Sequence, residues 1–208
     1  MTWETIRFCL GMVAAMAIMQ ALLLLLVKGL KLRLSRLVIL CGLLLPLGFL
    51  SPWIGQGRLM LCTVTFTRAL PDAPQVEDTD PHAMLNDAVY QFLPWEAEVR
   101  RAFSAGHLPL WSDRIDGGSS PWANPQACVL APVAVLARLV PLEHHLLAAL
   151  ALKMLVALQG AWLLARYLGA GRIAALLGAC SFAVGGGIIA WALFPHSATA
   201  AWVPWVTE

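Results

Sequence analysis

Charge is scarce in this chain: 12% of its 208 residues are Asp, Glu, Lys or Arg, about half the share of an ordinary soluble domain. Against that stand 60% hydrophobic residues. A soluble domain of this length cannot hide so much apolar surface, because its surface-to-volume ratio is too high. Intrinsic disorder is excluded too, since it needs low hydrophobicity and high net charge. Cysteine is sparse and odd in number, five in all, which argues against a disulfide-stapled secreted domain. An excess of one sign of charge is also missing. The formal net charge of +2 gives no reason to expect a nucleic-acid partner. What is present is long uncharged runs, so the chain reads as an all-α, polytopic transmembrane helical bundle with the lipid bilayer as its partner.

A spanning helix needs about 20 mostly apolar residues at about 1.5 Å rise each. Residues 8–27 and 37–54 qualify, the second with Pro46 and Pro52 expected to kink or end it. Residues 145–165 qualify with one interior charge, Lys153, and residues 173–194 qualify with Gly185, Gly186 and Gly187 inside. Those three glycines are expected to permit close helix packing. The stretch 127–142 is short, carries Arg138 and is interrupted by Pro132 and Pro141. It reads as an interfacial or re-entrant helix.

Loop 28–36 holds Lys28, Lys31, Arg33 and Arg36 and no acid, which makes it cytoplasmic by the positive-inside rule. Segment 55–142 is then extracytoplasmic, and it holds nine of the twelve acids. The turn from Arg166 to Arg172 is again basic and acid-free. The expected organisation is therefore 1–54, two spans; 55–142, the outer loop; and 143–208, two spans and the start of a second outer loop. Within the long loop, residues 55–70 are β-prone and 71–82 form an acidic link. Residues 86–104 have the pattern of an amphipathic helix lying along the membrane. Asn86 or Asp87 would cap it. Val89, Phe92, Leu93, Val99 and Phe103 would form its apolar face, with Glu96, Arg100 and Arg101 toward water.

The string from Asp87 through Tyr90 to Trp95 is followed by Arg100 and Arg101, then by Gly106-His-Leu-Pro-Leu-Trp111. Gly117-Gly118 and Ala123-Asn-Pro-Gln126 come next, then Tyr167 to Ala175, Phe194-Pro-His196 and Trp202-Val-Pro-Trp205. In order and spacing this resembles the YfhO-type bacterial membrane proteins, over roughly residues 40–208. Those are similar to glycosyltransferases of the GT-C architecture, which take sugars from polyprenyl phosphate on the outer face of the cytoplasmic membrane. Two departures stand out. Trp111-Ser112-Asp113 replaces the family's Trp-Asn-Pro, and an extra helix precedes the usual first span. Family members are also several times longer, so the chain looks like the N-terminal portion of such a protein, a GT-C-like module.

The resemblance implies that Asp87 is the general base that deprotonates an acceptor hydroxyl, a contribution of about 10²–10⁴-fold. A helix N-cap is the structural alternative for Asp87. Tyr90, Trp95 and Asn124 lie in the matching strings and are carried over as substrate contacts. Trp95, Trp111 and Trp122 have the ring faces to stack on sugars, while Trp53, Trp191, Trp202 and Trp205 suit an interfacial aromatic belt. Lys153 either pairs with the donor phosphate or snorkels to the interface. Arg100 and Arg101 either meet phosphate or form a solvated helix face. His196 either faces the same cleft or is an interfacial polar residue. Asp78 and Asp80 have the spacing to hold Mg²⁺ or Mn²⁺, or belong to a solvated acidic linker. The expected function is transfer of a sugar from polyprenyl phosphate to a cell-envelope acceptor. The alternative is a truncated or split non-catalytic module that binds a partner subunit or a lipid-linked sugar.

Overall fold

A computed structural model describes residues 3–56 and 87–206. The chain is all-helical, 73% helix, with no strand among the described residues. The helices are α1 (Trp3–Gly29), α2 (Arg36–Phe49), α3 (Ser51–Gln56), α4 (Leu93–Ser104), α5 (Pro132–Ala137), α6 (His145–Tyr167), α7 (Arg172–Ala183), α8 (Gly186–Ile189) and α9 (His196–Val206). They divide into two compact units. Residues up to 59 and from 130 onward form the first, and residues 60–129 form the second.

In the first unit α6 is the hub, packed by α1, α2, α5, α7 and α9. Every residue from His145 to Gln159 is buried. Three stretches are long and apolar enough to cross a membrane: Trp3–Gly29, Leu142–Tyr167 and Arg172–Ile189. This is consistent with membrane association. α1 and α6 run in the same direction, because the Phe8 ring lies 4.2 Å from that of His144 and Gln20 meets Gln159.

Two of the expected spans are broken. Residues 37–54 form two helices jointed at Leu50, and α2 has 14 residues, short of the length a perpendicular span needs. The chain runs helically through Pro46 and stops four residues later. There the Ser51 hydroxyl donates to the Gly48 carbonyl at 2.8 Å, and Pro52 falls in the first turn of α3, where no amide proton is needed. Residues 173–194 are likewise not one helix. α7 ends at Ala183 and Gly185 is extended, at φ −72° and ψ 162°. Glycine costs about 1 kcal/mol in a helix interior relative to alanine; here Gly185 takes the extended position between the two helices, and Gly186 and Gly187 open α8. A Cβ on Gly186 or Gly187 would meet nothing within 4 Å, so the expected close packing is not there. It occurs at Gly11 against the Leu139 backbone, at Gly42 against Gln159 and at Gly160 against the Trp205 indole.

The stretch 127–142 contains only the six-residue α5, with Pro132 at its start and a stop before Pro141, which disfavours helix at the residue ahead of it. From residue 130 onward it belongs to the first unit. α9 lies where a loop was expected. Ser197, Ala201 and Trp205 recur every four residues and are buried, and α9 packs along α6. The Trp205 indole N–H donates to the Val156 carbonyl at 2.9 Å, so Trp205 is a core residue and not part of a belt.

The second unit is described from Asp87. A π-helical turn, Ala88–Phe92, leads into α4. Pro94, with no N–H to give, falls where the wide turn becomes α-helix. Beyond α4, Ser112 and Ser119 pair their backbones at 2.8 and 2.9 Å. The intervening turn passes through Asp116 at φ 54°, Gly117 at 73° and Gly118 at 120°. The expected strand at 55–70 and the link at 71–82 lie outside the described residues, apart from the end of α3.

Candidate functional site

Asp87 has helical backbone angles, φ −56° and ψ −30°, and its side chain makes no capping bond. The cap reading of this residue therefore fails, and Asn86, the other candidate cap, lies outside the described residues. Asp87 is half-buried. Tyr90 follows within the π turn and is 47% exposed. Such turns are uncommon and concentrate at functional sites.

The buried face of this helical stretch agrees with the expected one at Phe92 and Val99 and departs from it elsewhere. Ala88, Phe92, Trp95, Glu96, Val99 and Ala102 are buried, while Phe103 is exposed. The buried positions 88, 92, 95, 99 and 102 keep an unbroken alternation of four and three, and Glu96 joins them. Glu96, expected to face water, is 4% exposed and receives the Arg100 guanidinium at 2.9 Å. Glu98 takes three donors on one oxygen. They are Arg101 Nε at 2.9 Å, Arg101 Nη2 at 2.7 Å and the Ser112 hydroxyl at 2.8 Å. The Arg101 guanidinium first, and the Ser112 hydroxyl with it, hold the Glu98 carboxyl below its ordinary range, against the opposing effect of burial. Arg100 and Arg101 are thus engaged by carboxylates of their own helix, and Glu98 ties α4 to the 112–119 turn.

Trp95 is buried, with its ring centroid 5.7 Å from that of Phe92. Trp111 and Trp122 are 65% and 40% exposed, so they, rather than Trp95, present ring surface to a ligand. Trp111 lies over Gly118, where a Cβ would come within 2.9 Å of the indole. Asn124 uses its side chain to accept from the Gln126 amide at 2.9 Å, capping a short 3₁₀ turn.

In the first unit, Lys153 does not snorkel. It is 3% exposed, and its ammonium donates to the carbonyls of Ala192 at 3.0 Å and Phe194 at 2.8 Å. These carbonyls lie in the turns that follow α8, so the lysine fastens segment 190–195 to the hub helix. His196 is exposed at the end of that segment, its ring 4.8 Å from Trp191 and 5.3 Å from Phe194. Lys153 and His196 are therefore brought to one segment. Asp87, Tyr90, Trp95, Arg100, Arg101 and Asn124 share the other unit. Asp78 and Asp80 lie outside the described residues.

One polar feature of the bundle was missed in the sequence. Gln20 and Gln159 are buried and exchange amide hydrogen bonds, at 3.3 Å and 2.5 Å. Each is an amide inside an otherwise apolar run, and that isolation was the signal. Comparison with protein-family models, curated proteins and solved structures found no match.

Proposed function

We propose that the chain is the N-terminal part of a bacterial membrane glycosyltransferase, with Asp87 as general base. In this reading Asp87 takes the proton of an acceptor hydroxyl. The hydroxyl oxygen bonds to the anomeric carbon, and the carbon–oxygen bond to polyprenyl phosphate breaks with its electron pair leaving on the phosphate. The bundle is a GT-C-like module in the cytoplasmic membrane, and the segment carrying Asp87 faces outward. The observation that carries the reading is the idleness of this carboxylate. Glu96 and Glu98 are occupied by arginines, whereas no hydrogen bond or ion pair among the described residues engages half-buried Asp87. Tyr90, Trp111 and Trp122 supply exposed rings in the same unit, and such rings suit sugar faces. Lys153 becomes a positioning residue that sets segment 190–195 and His196.

The test is transfer from labelled polyprenyl-phosphate sugar in membranes that contain the complete protein. Asp87→Asn should lose about 10²-fold or more, while Asp78→Asn with Asp80→Asn should leave transfer intact. Normal turnover by Asp87→Asn would overturn the base assignment. Loss of transfer in the Asp78/Asp80 variant would favour a Mg²⁺ or Mn²⁺ site there.

A second reading, a non-catalytic module that seats a partner subunit, has one observation in its favour. Only 22% of the Arg172–Ile189 stretch is buried, against 94% for Leu142–Tyr167. That face is left to lipid or to further helices. Retention of sugar binding without any transfer by the complete protein would favour it.

A further inference from the structure

The first unit has a cavity of about 490 Å³ between the turn that ends α1 and the turn that ends α6. Arg33, Arg166 and Arg172 line it and no acid does. The size is right for a small ligand. The cavity lies 13 residues along α6 from Lys153, about 20 Å at 1.5 Å per residue, and so is separate from the segment that lysine holds.

The charge at this end works against the fold. α2 and α7 both start here, and their first residues are Arg36 and Arg172. A cation at a helix N-terminus opposes the helix dipole. Lys31 sits at φ 58°. There the bonds from Lys31 to Lys28 and from Leu32 to Val27 close α1, in a left-handed position where glycine is the default. The equivalent turn after α6 does use glycine, Gly169 at φ 88°. None of Lys28, Lys31, Arg33, Arg36, Arg166 and Arg172 has an ion pair among the described residues. Arg166 is turned onto the Ala170 carbonyl. Membrane orientation explains why such a cluster is basic. It does not explain why three guanidinium groups line one hollow.

The geometry points to a binding site for the phosphate of an anionic phospholipid, held by Arg33, Arg166 and Arg172. Guanidinium groups match phosphate oxygens with paired N–H donors. The lipid source is favoured over free phosphate by the rest of the wall. Leu34, Trp162 and Leu163 line the same cavity, and Tyr167, Leu168 and Ile173 at the same end are 70%, 73% and 77% exposed. Apolar and aromatic groups beside a cationic hollow suit an acyl chain below a headgroup. This inference does not depend on the glycosyltransferase reading.

The test is native mass spectrometry of the whole chain in neutral detergent, with phosphatidylglycerol and phosphatidylcholine of the same acyl chains as probes. The expected result is retention of phosphatidylglycerol over phosphatidylcholine by about tenfold. Arg33→Gln with Arg172→Gln should abolish the preference without lowering the melting temperature. Arg33→Lys with Arg172→Lys should lose part of it, because the charge stays and the paired donors go. Lys28→Gln with Lys31→Gln removes the same charge from an adjoining hollow that shares Arg33 but has neither Arg166 nor Arg172, and should keep most of the preference. Equal loss in the two glutamine pairs would overturn the site in favour of diffuse charge. Release of phosphatidylglycerol by millimolar inorganic phosphate would overturn the lipid assignment in favour of a soluble phosphate.

Discussion

The two units treat charge in opposite ways. In the unit described from Asp87, the acids of α4 are answered within the helix, Glu96 by Arg100 and Glu98 by Arg101. At one end of the bundle, six cations gather with no ion pair among the described residues. A guanidinium three or four residues from a carboxylate is used by its own helix. A guanidinium at a turn with no acid nearby is left for something outside the chain. Arg100 and Arg101, which the resemblance offers as phosphate ligands, belong to the first kind, and Arg33 and Arg172 to the second. Two buried polar features of the bundle follow a third pattern. Lys153 and the Gln20–Gln159 pair are held by neutral carbonyls and amides.

The largest effect on the folded state is expected at Lys153. Lys153→Met keeps the chain's bulk and removes the ammonium from two carbonyl groups of segment 190–195. The Phe194 carbonyl keeps the Ser197 hydroxyl at 2.8 Å, so the loss falls on the Ala192 carbonyl and on the lysine's own two bonds, about 1–3 kcal/mol. The variant should melt measurably lower in detergent, and hydrogen exchange should quicken at residues 190–196 first. An unchanged melting curve would mean that the segment is held by its packing and that the buried cation serves no structural purpose.

A smaller effect, confined to the other unit, is expected for Glu98→Gln. It weakens the bonds from Arg101 and Ser112, a change of about 1 kcal/mol, or roughly fivefold in the exchange of amides that report this unit. The pH dependence has a definite sign. The Glu98 carboxyl titrates below its ordinary value because Arg101 and Ser112 favour the ionised form. Its stabilisation is therefore full above the ordinary carboxylate range and is lost as pH falls through the lowered value. Glu98→Gln should erase that dependence at residues 93–119. An equal change in the bundle's exchange would show that the two units do not unfold separately.

These contrasts were only partly legible in the sequence. Long apolar runs marked α1 and α6, the second with Lys153 inside it, and Pro46 and Pro52 marked the run that breaks at Leu50. The glycines at 185–187, expected to pack inside a continuous span, instead stand where the other run breaks. The hub could not be singled out. Leu142–Tyr167 and Arg172–Ile189 have nearly equal hydropathies, 1.8 and 1.7, yet one is 94% buried and the other 22%. Lipid and protein interior are both apolar, so composition does not tell which a helix faces. The amide pair joins residues 139 positions apart, and no local pattern reveals such a partner. The expected stripe of α4 left out Glu96, whose burial is made tolerable by the Arg100 guanidinium one turn on. That no described residue engages the Asp87 carboxylate, while Glu96 and Glu98 are engaged, is visible only in the structure.

The smallest effect should have the opposite sign. Arg172→Gln removes a cation from the first position of α7 and from a cavity shared with Arg33 and Arg166. Relief of the helix dipole and of like-charge repulsion stabilises by a few tenths of a kcal/mol at low salt. The melting temperature in a zwitterionic detergent should stay level or rise slightly, and the rise should shrink as salt screens the charges. In an anionic lipid environment the sign should reverse. A bound phosphate adds stability in proportion to its occupancy, and the variant forfeits part of it. A drop of the same size in both media would make Arg172 an ordinary structural residue. The charged end of the bundle would then be no different from α4.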